Sequence, residues 1–64
     1  MKYKRGDKVR IVSERNGHGF SIGEIVKIAE TYKHNDDEHY YAVSNDDGWY
    51  VWPDEIASMK AVIV

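Results

Sequence analysis

Three histidines, His18, His34 and His39, are the side chains beside the carboxylates that could ligate a metal or take a proton in catalysis. His34 and His39 flank the acidic run Asp36-Asp37-Glu38. Zinc needs three or four converging ligands, and this spacing matches no ligand pattern, so neither a metal nor another cofactor is expected. Four serines accompany the histidines. A nucleophile needs a base and an orienting group within reach, and no motif joins them. A substrate pocket of ~300 Å³ or more would also occupy much of a 64-residue chain. The reading is therefore non-enzymatic.

Charge offers a second chemistry. Lys2, Lys4, Arg5, Lys8 and Arg10 form a basic N-terminal stripe that could bind phosphates, with an affinity that falls as salt rises. Tyr3 or an exposed tryptophan could add base stacking. Against this stands a net charge of −2 and a pI near 5.8, where nucleic-acid domains are usually strongly basic. The charge is unevenly spread. Residues 1–16 hold six cations and two acids, whereas residues 17–64 hold three cations and nine acids. Asp36-Asp37-Glu38 and Asp46-Asp47 could imitate phosphates or dock on a basic protein, although hairpin tips are acidic for solubility alone. Arg5-Gly6-Asp7 spells an integrin-recognition tripeptide but reads as the turn into a strand.

The third chemistry is aromatic. Trp49, Tyr50, Val51 and Trp52 are consecutive, and a strand alternates its faces. Trp49 and Val51 then share one side and Tyr50 and Trp52 the other. The same alternation separates Tyr41 and Val43 from Tyr40 and Ala42. Assigning Val9, Ile11, Val26, Ile28, Tyr41, Val43 and Val51 to the core leaves Tyr40, Tyr50 and Trp52 outside as the expected partner-binding residues. Aromatic side chains are enriched in binding hot spots. Trp52 packed beneath the Pro53 turn is the competing account.

These groups need a scaffold. With 42% hydrophobic and 31% charged residues and no cysteine, the composition is that of one small globular domain over residues 1–64 without disulfides. The charged N-terminus precedes no long apolar run, so the expected setting is cytoplasmic and off the membrane. Lys8–Val12 alternates apolar and charged residues as a half-buried strand. Ser13–Gly19, with its Asn16-Gly17 pair, reads as loop, and a second strand runs within Ser21–Ala29. Gly23 inside it predicts a bulge or a close backbone approach.

Lys33–Glu38 reads as an exposed hairpin loop, His39–Ser44 as a third strand and Asn45–Gly48 as a tight turn. Trp49–Trp52 is the fourth strand, ended by Pro53, which has no N–H to donate. Pro53–Ile56 suits one short 3-10 turn, and Ala61–Val64 a last strand. Its uncharged end could pair with a second copy, so the expectation is a monomer or a weak homodimer. Five short strands with turn signals between them predict an all-β fold, a small five-stranded barrel with a 3-10 turn before the last strand.

The pieces Gly6-Asp7-Lys8-Val9-Arg10-Ile11, Phe20-Ser21-Ile22-Gly23-Glu24-Ile25-Val26-Lys27-Ile28, Tyr40-Tyr41-Ala42-Val43, Asp47-Gly48-Trp49-Tyr50-Val51 and Asp54-Glu55-Ile56 occur in an order that resembles small SH3-like barrel proteins of phage and prophage type. The resemblance covers roughly residues 4 to 57. It implies the barrel and an accessory protein of a phage or mobile element, and the left-over aromatics make that a protein that binds another protein. Inhibition of a host defence or replication enzyme is a special case. The first half also resembles, more loosely, the KOW element of ribosomal and transcription-factor proteins, with Gly23 at its centre. That implies the alternative function, nucleic-acid binding through the N-terminal basic strand, although Glu24 and a single Lys27 stand where basic residues usually follow the glycine.

Overall fold

The computed structural model describes residues 2–15 and 17–59. Its elements are β1 (Lys8–Ile11), β2 (Ile25–His34), β3 (Asp37–Ser44), β4 (Asp47–Val51), a 3-10 turn (Pro53–Glu55) and β5 (Ile56–Ser58). The fold is all-β. The strands form one antiparallel sheet in the order β4-β3-β2-β1-β5.

Alternation places Val9 and Ile11 of β1 inward and leaves Lys8 and Arg10 outside. Val26 and Ile28 of β2 join them, with Val51 and Ile56 from the later strands. Tyr3 and Phe20, from the flanking segments, complete the core. Burying each large apolar side chain contributes about 1.5–3 kcal/mol.

In β3 the inward residues are Tyr40 and Ala42, both fully buried, while Tyr41 and Val43 lie on the outer face, half-buried. This corrects two expectations, that Tyr41 and Val43 are core and that Tyr40 is a surface ring. Register explains the correction. Ala42 stands opposite Ile28, and Tyr40 stands opposite Val51. Cross-strand partners share a face, so the inward Ile28 and Val51 draw Ala42 and Tyr40 in with them.

The β2–β3 register shifts between Ile28 and Glu30, where Ala29 is the extra residue of a bulge. No bulge occurs at Gly23. That residue precedes β2, and its N–H donates to the Ile11 carbonyl at 2.7 Å, a close approach of two backbones. β2 accordingly begins at Ile25 rather than near Ser21.

The stretch expected to be a loop, Lys33–Glu38, is mostly strand. Only Asn35-Asp36 turns, and Asn45-Asp46 forms an equally short turn between β3 and β4. Both asparagines sit at φ 56°, a left-handed conformation that asparagine tolerates better than most residues. Each turn is followed by aspartate, so Asn-Asp-Asp recurs ten residues apart.

The 3-10 turn forms where expected, with Pro53 first. The strand after it is Ile56–Ser58, which pairs with β1. The expected last strand, Ala61–Val64, lies outside the described residues. Within the turn, Glu55 is fully buried. Its Oε1 accepts the Trp52 N–H at 2.9 Å, and its carbonyl accepts the N–H groups of Val12 and Ser13 at 2.8 and 3.3 Å. Buried His18 lies beside it, with Nε2 3.7 Å from Glu55 Oε2. The Phe20 N–H donates to His18 Nδ1 at 3.2 Å, which leaves the proton on Nε2, 2.6 Å from the Ser13 carbonyl oxygen. His18 and Glu55 thus tie the 12–24 loop to the turn that joins β4 to β5.

Candidate functional site

Register lays out the outer face in rows. Lys8, Lys27, Val43 and Gly48 are successive cross-strand partners on β1, β2, β3 and β4. The next row is Glu30, Tyr41 and Tyr50, and the one after it pairs Tyr32 with His39. Trp52, extended just beyond β4, continues that third row. The outer face is therefore basic at one end and aromatic at the other.

The aromatic end is one continuous cluster. His39 is stacked between Tyr32 and Trp52, at centroid distances of 5.1 and 5.0 Å. Tyr50 lies across them, 5.9 Å from His39, 6.0 Å from Tyr32 and 5.1 Å from Tyr41. Edge-to-face and offset pairs at such distances add to the stability of the sheet. Tyr41 in turn leans over Gly48, where a Cβ would come within 2.5 Å of its ring carbon Cζ. A side chain at position 48 would have to lift that ring.

Asp37 closes the cluster at the hairpin end. Its Oδ1 accepts the Trp52 Nε1–H at 3.0 Å. Its Oδ2 lies 3.3 Å from His39 Nδ1, off the line of a hydrogen bond. Desolvation by its neighbours, and then the Tyr50 hydroxyl, push the Tyr32 phenol up from its ordinary range. Within the cluster, the two rings that reach farthest into solvent are Tyr50 and Tyr32, 51% and 40% exposed.

Of the three rings expected to bind a partner, the structure brings Tyr50 and Trp52 together on this face, Trp52 only half-buried. Tyr40 points to the opposite side. Its hydroxyl donates to Glu38 Oε2 and accepts the Tyr3 N–H at 3.2 Å. Trp49, expected to face inward, is on the inner side of β4 yet 42% exposed, because it lies over Gly19 beyond the edge of the core. Sequence reasoning missed Tyr32, His39 and Tyr41 as members of the surface. The recurring Asn-Asp-Asp was the available signal, since a turn at Asn35 extends β2 and β3 far enough to pair Tyr32 with His39.

The basic stripe divides. Lys8 and Arg10 lie on the outer face of β1, joined by Lys27 from β2. Arg5 is nearby, lining with Lys27 and Val43 an open groove of about 590 Å³. Lys2 lies elsewhere; its backbone N–H donates to Glu38 Oε2, and its ammonium sits 5.8 Å from the Tyr3 ring centroid. Lys4 is exposed in the segment before β1, with its N–H on Asp7 Oδ2.

Among the described residues no group of three or more histidine, aspartate or glutamate side chains is placed to hold a metal. No helix among them is long and apolar enough to cross a membrane. This face presents mutually packed rings at one end and exposed cations at the other. In comparisons with protein-family models, curated proteins and solved structures, nothing matches the chain.

Proposed function

We propose that this chain is a small SH3-like barrel acting as a non-enzymatic protein-binding module, with Tyr32, Tyr50 and Trp52 as the contact residues. The barrel reading is supported by the strand order and by the 3-10 turn. That turn carries the chain from one edge strand, β4, to the other, β5. The binding reading is carried by one observation. Two tyrosines protrude from a ring cluster whose remaining members are held by mutual stacking and by Asp37. Rings held in place before binding lose little entropy when a partner covers them.

Capture from a lysate of the source cells, followed by direct titration of the recovered protein, tests this. Tyr32→Ala combined with Tyr50→Ala is expected to weaken binding about 30-fold or more, the scale of a hot spot worth about 2 kcal/mol. Both positions are on the outer face, so the circular-dichroism spectrum should be unchanged. A partner that binds the double variant as well as the unaltered chain refutes the assignment, as does the absence of any saturable partner.

A further inference from the structure

The basic end of the outer face is not explained by the aromatic contact. Lys8 and Lys27 are direct cross-strand partners, and like charges placed opposite one another destabilise a sheet. Arg10 projects from the same face two residues along β1. Among the described residues, no acid lies within ion-pair distance of Lys8, Arg10 or Lys27. Arg5 borders them, and among the described residues its ion pair is a long, exposed contact to Glu30 at 3.9 Å. In a chain with two more acids than bases, four cations have gathered where one sheet face can present them together.

We infer that this end of the sheet binds single-stranded nucleic acid, with phosphates on Lys8, Arg10, Lys27 and Arg5 and bases stacked on Tyr41 and Tyr50. Charge complementarity selects an anionic ligand. The neighbouring rings select one with flat aromatic groups. Tyr41 lies two residues along β3 from Val43, the cross-strand partner of Lys27, a step of about 7 Å. An extended polynucleotide can bridge such a step between a phosphate and a base. The sheet face is open rather than a cleft, so unpaired bases can lie on the rings while those of a duplex cannot. This inference adds a ligand beside the protein-binding reading and does not rest on it.

The test is fluorescence anisotropy with a labelled single-stranded oligothymidylate, titrated over a range of salt concentrations. The affinity should fall with salt at a log–log slope of about −3, since each of four phosphate contacts on a single strand contributes about 0.7. Lys27→Glu should weaken binding at least tenfold and flatten that slope. It also replaces a repulsive pair with an attractive one, so its melting temperature should be equal or higher. Arg10→Glu is a second variant with the same expected loss.

Four results overturn the inference. They are no binding at low salt, unchanged affinity in both variants, a duplex bound as tightly as the single strand, or displacement by polyglutamate at equal charge. The last result would assign the cations to an acidic protein. Lys27→Glu leaves Tyr32, Tyr50 and Trp52 intact, so protein binding that survives it separates the two readings.

Discussion

Glu55→Ala is expected to remove a large share of the stability of the fold. The carboxylate is fully buried, accepts the Trp52 N–H and faces His18. Alanine removes the acceptor and leaves the Trp52 N–H without a partner, while His18 keeps the Ser13 carbonyl. Leaving a buried donor without its acceptor costs about 1–3 kcal/mol, and more where the lost acceptor is charged. A chain of this length has a total stability of roughly 3–10 kcal/mol. Urea titration followed by circular dichroism would read the loss as a midpoint moved towards zero. Asp54→Ala, one residue away, provides the contrast. Its carboxylate meets Arg15 at 2.8 Å on the exposed side of the same turn, and exposed pairs contribute less than about 1 kcal/mol. Equal costs for the two substitutions would contradict the structural role assigned to Glu55.

Tyr40 governs the second large effect, which is alkaline. Burial, followed by its hydrogen bond to Glu38, pushes the phenol up to about 12 from an ordinary value of 10.0. In the unfolded chain the same phenol ionises near its ordinary value. The folded state therefore holds a proton that the unfolded state releases between these two pH values. Stability from this difference is complete below pH 10 and is lost as the pH rises towards 12, amounting to about 2–3 kcal/mol.

Urea midpoints measured from pH 8 upwards should fall steeply above pH 10 in the unaltered chain. Tyr40→Phe should flatten that fall while costing about 1–3 kcal/mol at neutral pH, because the Tyr3 N–H loses its acceptor. An identical alkaline slope in Tyr40→Phe would show that another group is responsible. Glu38 works in the opposite direction. The Tyr40 hydroxyl and then the Lys2 backbone N–H hold its carboxyl below the usual range, so its contribution is present at neutral pH and is lost in acid.

The strands whose two faces differ in polarity were legible from sequence. Lys8–Ile11 alternates charged and apolar residues, and its inward pair, Val9 and Ile11, is in the core. Tyr40-Tyr41-Ala42-Val43 carries no such information, because either phase buries apolar groups. Its phase is decided by partners far along the chain, Ile28 and Val51. The polar run Lys33–Glu38 misled for a related reason. The β2–β3 hairpin extends past the core, where strand residues have no apolar requirement and resemble a loop. That Tyr50 and Trp52 lie on the outer face was legible because Val51 between them is unambiguous. Tyr32 and His39 were hidden by that same polar run. Lys27 could not be placed against Lys8 until the register was known.

The paired Asn-Asp turns bear on the order in which the molecule assembles. They join β2, β3 and β4 through the shortest connections in the sheet, so these strands can zip together from local contacts. The β1–β5 pairing must instead bring Val9 to Ser58 across almost the whole chain, and closing a long loop is slow. The meander, with its aromatic face, is the expected folding nucleus, and the ends are expected to dock last. Substitutions around Tyr41 and Tyr50 should therefore slow folding, whereas those at His18 and Glu55 should mainly hasten unfolding.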